Sequence, residues 1–121
     1  MAVYVSIRGW LECDSGQLEL LKSIIAKHSG NAYSGGWGFP SQPFNWTSYA
    51  FYGGDLQVTN VPWLRDQLTE MAALPTGDEE ESRVEGLFLV THEVDGLTEW
   101  QIRDGKLHEI PGSERHAYLG A

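Results

Sequence analysis

The sequence predicts an α+β fold, a two-layer sandwich with a mainly antiparallel sheet and two helices on one of its faces. Three observations carry this expectation. Apolar residues alternate at the start of the chain, two stretches show the apolar stripe of a surface helix, and the last third holds two Asp-Gly dipeptides between strand-like runs. The expected order is strand, helix, two strands, helix and a three-stranded meander, in a single domain over residues 1–121.

Each element has a local reason. Val3, Val5 and Ile7 alternate with Tyr4, Ser6 and Arg8, the period of a strand with two distinct faces, and Trp10 keeps the second face from being wholly polar. Asp14 and Gln17 have the spacing of a capping box. Leu18, Leu21, Ile24, Ile25 and His28 then share one stripe, so a helix is predicted over residues 15–28, with Gly30 as a left-handed C-terminal cap. Residues 33–39 read as a short strand broken by glycine, and residues 40–46 as loop. Residues 47–52 have strand composition, expected to stop at Gly53-Gly54-Asp55. A second helix follows with Asn60 as cap, Pro62 in the first turn and a stripe of Leu64, Leu68, Met71 and Ala72, ending before Pro75. Residues 76–82 form an acidic loop. Residues 84–94, 97–103 and 106–110 form the meander, turning at Asp95-Gly96 and Asp104-Gly105, and Pro111-Gly112 opens a frayed tail. Two helices cover one face of such a sheet, so the other face is expected to be partly open.

Composition bounds the function. A hydrophobic fraction of 41% and an aromatic fraction of 12% can build a core, which excludes a disordered chain. The formal charge is −9, and it is uneven. Residues 1–60 carry Glu12, Asp14, Glu19 and Asp55 against Arg8, Lys22 and Lys27, a net of −1, which leaves −8 on residues 61–121. Such a field repels nucleic-acid phosphates and anionic lipid, and it speeds encounter with a cationic protein. No apolar run is long enough to span a bilayer, and the start lacks the basic and apolar regions of a signal peptide. Cys13 is the one cysteine, which suits a reducing, cytoplasmic setting.

Catalytic signals are sparse. His28, His92, His108 and His116 lack metal-ligand spacing, and no metal or other cofactor is expected. His92 and His108 could meet across the meander as a general base. Cys13 precedes a helix, where a thiol becomes reactive, but Glu12 and Asp14 flank it and oppose ionisation. The glycine-rich run Tyr33-Ser-Gly-Gly-Trp-Gly-Phe39 lacks the lysine and hydroxyl of a phosphate loop.

Binding signals are stronger. Rigid Trp and Tyr rings supply contact area at low entropy cost, and acids around them steer a cationic partner. Phe39 and Phe51 are expected in the core. The expected partner-binding residues are Trp37, Trp46, Tyr52, Asp55, Glu85, Glu93, Asp95, Glu99 and Trp100. An alternative is a small-molecule site or small enzyme with an aromatic pocket whose polar groups are Arg8, Tyr52, Asp55 and His92. A third reading is an accessory protein that pairs as a homodimer through a sheet edge.

The size, the acidic and aromatic-rich α+β character, and the segments Tyr33-Ser-Gly-Gly-Trp-Gly-Phe39 and Phe51-Tyr-Gly-Gly-Asp55 resemble the small immunity proteins that bacteria pair with polymorphic and contact-dependent-inhibition toxins. The resemblance implies a non-enzymatic inhibitor that binds a basic toxin domain and occludes its active site.

Overall fold

Alternation of buried and exposed residues along β1 (Tyr4–Cys13) sets the architecture: Val5, Ile7, Leu11 and Cys13 point to one side, and Tyr4, Ser6, Arg8, Trp10 and Glu12 to the other. The computed structural model describes residues 2–40, 47–77 and 82–120. The predicted α+β sandwich is observed. Helix α1 (Ser15–Lys27) follows β1, then come β2 (Trp37–Gly38), β3 (Ser48–Gln57), helix α2 (Val61–Ala72) and the strands β4 (Glu85–His92), β5 (Gly96–Arg103) and β6 (Lys106–Pro111). All neighbouring strands are antiparallel, in the order β2-β3-β1-β4-β5-β6.

The core lies between the two helices and one sheet face. Leu18 and Leu21 of α1 and Leu64, Leu68, Met71 and Ala72 of α2 meet Val5, Ile7, Leu11, Ala50, Leu56, Phe88, Trp100 and Ile102. The capping box closes as expected, with Asp14 accepting from the Gln17 amide at 2.7 Å and the Gln17 side chain accepting from the Asp14 amide at 2.9 Å. Gln17 is itself buried, and its Nε2 donates to Pro75 and Ser82 carbonyls on either side of the acidic loop, of which residues 78–81 lie outside the described residues. The two helices are joined by the Trp63 indole N–H donating to the His28 carbonyl at 2.9 Å.

Several expectations give way. Gly30 is not a left-handed cap, because α1 ends in tightened turns with the His28 and Ser29 amides bonded to Ile25 and Ala26 carbonyls. Asn60 does not cap α2: a 3-10 turn over Val58–Asn60 runs straight into the helix, and the Asn60 side chain accepts from Asn31 instead. Residues 32–36 form a 3-10 turn before the two-residue strand β2. β3 does not stop at Gly53-Gly54 but continues to Gln57, with Gly53 and Gly54 paired to Arg8 and Ile7. A side chain at Gly36 would strike the Gly53 carbonyl and the Tyr52 ring, so the glycines allow close packing here rather than marking a turn.

The second hairpin follows the sequence: Asp104 and Gly105 both have positive φ, as a two-residue type I′ turn requires. The first turns earlier than Asp95-Gly96, because β4 ends at His92 and residues 93–95 make the turn, so that Gly96, with a φ of +87°, pairs with His92 and opens β5. The C-terminal segment is not frayed. Residues Glu114–Gly120 form a 3-10 helix that folds back over the open face of β4 and β5.

Cys13 and Tyr52 sit in this core. Burial, with the nearby Asp14 carboxylate, pushes the Cys13 thiol up to about 12, and burial with the nearby Tyr33 pushes the Tyr52 hydroxyl up to about 12. Both protons are held more tightly in the folded than in the unfolded chain, where the ordinary values are 9.0 and 10.0. Their stabilisation is therefore complete below pH 9 and is lost as the pH climbs toward 12. Urea titrations should show stability falling over that range, and a Cys13→Ala/Tyr52→Phe double variant should flatten the slope. An unchanged slope would assign alkaline unfolding to other groups.

Candidate functional site

The face of the sheet away from the helices is the candidate site, and the register determines what stands on it. Trp10 lies opposite Phe51 on β3 and Leu87 on β4. Arg8 lies opposite Gly53 and Leu89, and Glu12 opposite Tyr49 and Glu85. Glu99 on β5 is next to Leu89. The result is an apolar belt across three central strands. Phe51 is 46% exposed and Trp10 37%, while Leu87 and Leu89 are half-buried. Tyr49 stacks on Phe51 with ring centroids 6.0 Å apart.

Carboxylates rim this belt. Among the described residues, Glu12, Glu85 and Glu99 have no ion-pair partner, although Glu12 and Glu85 face each other on adjacent strands. Like charges placed directly opposite are destabilising. Asp55 is exposed beyond Arg8 and accepts from the Ser6 hydroxyl at 2.6 Å. One end of the face is closed by the C-terminal 3-10 helix, whose Leu119 carbonyl accepts from Arg8 Nη2 at 3.2 Å.

The predicted site residues divide between the two faces. Asp55, Glu85 and Glu99 stand on the open face. Glu93 is tied into the fold, its carboxylate accepting from the Tyr4 amide at 3.0 Å. Asp95 is exposed in the β4–β5 turn, 3.7 Å from His92 Nε2. Trp100 is a correction: it is 2% exposed and faces the helices, with the Arg65 guanidinium 5.5 Å from its ring centroid. Tyr52 is likewise core, its hydroxyl donating to the Tyr33 carbonyl at 2.9 Å. Trp37 packs edge-on against Tyr52 at 5.1 Å and is partly buried against the core, so it is not an exposed binding ring. Trp46 lies outside the described residues.

The four polar groups of the alternative pocket do not line one pocket: Arg8 and Tyr52 border one groove, and Asp55 and His92 border another. Arg8 and Asp55 are on the open face, whereas Tyr52 and His92 share the register of the helix face. His92 Nδ1 accepts from the Val94 and Asp95 amides, which makes it a turn cap. His108 pairs with Gln101 on the opposite face, so the two histidines do not meet. His28 reaches Glu70 at 2.8 Å, and hydrogen bonds from Lys27 and His28 hold the Glu70 carboxyl below the usual carboxylate range. Among the described residues, no group of three or more His, Cys, Asp and Glu side chains is arranged to hold a metal ion.

Phe51, expected in the core, and Trp10 are the functional candidates that sequence reasoning missed. In Tyr49-Ala-Phe-Tyr52, polarity does not distinguish the faces; Ala50 and Tyr52 are the residues that pack under the helices. The continuous alternation of β1 placed Trp10 with Arg8 and Glu12, and that was the available signal.

Comparison with family models, curated proteins and solved structures finds no match for this chain. No helix of the described residues is long and apolar enough to cross a membrane.

Proposed function

We propose that this chain is a binding protein of the immunity type, which holds a cationic toxin domain against the open face of its sheet and occludes that domain's active site. The observation that supports this reading best is the exposed Trp10–Phe51 pair, set in an apolar belt and rimmed by the unpaired carboxylates of Glu12, Glu85 and Glu99. An aromatic centre desolvates on contact and supplies affinity, while unpaired acids at the rim steer a basic partner and gain a counter-charge when it docks.

The test is a capture from source-cell lysate at low and high salt. The immobilised protein should retain a basic protein that salt releases, and adding the free chain should abolish that protein's toxic activity. The Glu12→Lys/Glu85→Lys/Glu99→Lys variant should associate at least tenfold more slowly and lose the salt dependence. Trp10→Ala and Phe51→Ala should instead speed dissociation, each costing about 2 kcal/mol or more of binding if it is a hot spot. If the lysine variant captured and inhibited the same partner at an unchanged rate, the reading would be wrong.

A further inference from the structure

The open face holds a groove of about 450 Å³ walled by Trp10, Phe51 and Leu89, with Gly38 and Gly53 in its lining. We propose that this groove is a socket for one aromatic side chain of a protein partner, presented between basic residues that reach the carboxylates at the rim. The proposal rests on the reading of this face as the contact surface for a cationic domain, and it turns the rings from projections into walls: Trp10 and Phe51 receive a ring from the partner.

The lining sets the chemistry of the occupant. It is almost wholly apolar, and the groove is open to solvent on its outer side. Arg8 borders it, but its Nη2 donates to the carbonyl of Leu119, which lines a separate groove. A free small molecule is oriented by a few convergent polar groups, and this lining does not supply them. An apolar side chain needs no such groups, because the chain that carries it is held from outside. Aromatic anchors seated in pockets are the usual energetic centre of a protein contact.

Two glycines keep the socket free of this chain's own side chains. A Cβ built at Gly38 or Gly53 would meet no atom within 4 Å, and neither residue has a positive φ. Gly53 is paired with Arg8 in the interior of β3, and Gly38 is paired with Phe51, so both missing side chains are missing from the open face. At Gly9 and Gly36 the fold itself requires glycine, because a Cβ there would strike backbone. At Gly38 and Gly53 it does not, and glycine weakens a strand interior. What the two positions provide is room beside the Phe51 ring.

The rim supplies the charge. Glu12 and Glu85 lie two residues along from Trp10 and Leu87 on the same face, a step of about 7 Å, and Glu99 lies across from Leu89. Among the described residues none of the three has an ion-pair partner. Lysine or arginine within a residue or two of the inserted ring spans that step, so the occupant is an aromatic residue inside a short basic segment.

Titration of ¹⁵N-labelled protein with the blocked pentapeptides Lys-Lys-Trp-Lys-Lys, Lys-Lys-Ala-Lys-Lys and Glu-Glu-Trp-Glu-Glu tests this. The first should produce saturable shifts at the Gly38 and Gly53 amides and the Trp10 indole, and each of the other two should bind at least tenfold more weakly. Gly53→Val fills the socket from within and should weaken the first peptide at least tenfold while leaving the second unchanged; Gly38→Val should do the same. The Glu12→Lys/Glu85→Lys/Glu99→Lys variant should lose both lysine peptides. Equal binding of the two lysine peptides, or unchanged binding of the first by either glycine variant, would overturn the socket and leave the attraction of this face for a cationic partner standing. Equal binding of the two tryptophan peptides would overturn the socket as stated and the cationic-partner reading with it. No saturable shift with Lys-Lys-Trp-Lys-Lys would overturn the socket.

Discussion

Gly9→Ala should yield no folded protein. A Cβ at Gly9 would lie 2.1 Å from the Leu87 carbonyl oxygen and 2.6 Å from the Phe88 Cα, and both are backbone atoms of the neighbouring strand. They cannot move aside as a flexible side chain would. Relief would require separating β1 from β4 at the Gly9–Phe88 pair, in the middle of the sheet. Gly86 shows the same closeness from the other strand, where a Cβ would come within 2.1 Å of the Trp10 carbonyl oxygen. The two positions thus report one tight passage between the central strands. Circular dichroism and the dispersion of amide resonances would check this; a Gly9→Ala protein with native dispersion and an unchanged melting temperature would show that the sheet can widen here at little cost.

Trp100→Ala is expected to be the most damaging truncation of a side chain. The indole is 2% exposed and is the largest of the fully buried groups. Its removal leaves a cavity between β5 and α2 that the surrounding helix and sheet cannot close, a change that costs about 3–5 kcal/mol. For a domain of this size the melting temperature should fall on the order of 10–20 °C. Among the described residues the indole N–H has no hydrogen-bond partner, so Trp100→Phe discards an unpaired donor and keeps most of the packing, and its loss should be clearly smaller. Trp10→Ala gives the contrast: at 37% exposure it should shift the melting temperature little. A Trp100→Ala protein as stable as Trp10→Ala would place the first indole at the surface and the core elsewhere.

Much of the fold was legible because it is locally encoded. The capping box and apolar stripe of α1 and the Asp104-Gly105 turn are decided by neighbours in sequence, and they form where expected. What was not legible depends on tertiary contact. Gly53 and Gly54 look like the end of a strand until Gly36 and Tyr52 are seen packed against them. The C-terminal residues look like a tail until the Gly112 amide is seen bonded to the Leu97 carbonyl and Leu119 to Arg8. Glu85 and Glu99 stand on the open face, but the ring expected beside them, Trp100, does not. Trp100 and Phe51 exchange roles, because one register step on a strand moves a ring from the core to the open face.

The position of β1 bears on how the chain is made. Its two neighbours, β3 and β4, are synthesised tens of residues later, and β4 pairs with residues about 80 positions upstream. On the ribosome, the Val5–Glu12 edge stays without its second partner until residues 85–92 have emerged, and an apolar strand with an open edge is the kind of segment that misassociates. The meander closes through short turns as soon as it is exposed, but it must then dock on a strand that has been waiting. Assembly of this sheet therefore includes a late, long-range event, and a pause in translation before β4 would lengthen the interval in which β1 waits with one edge unpaired.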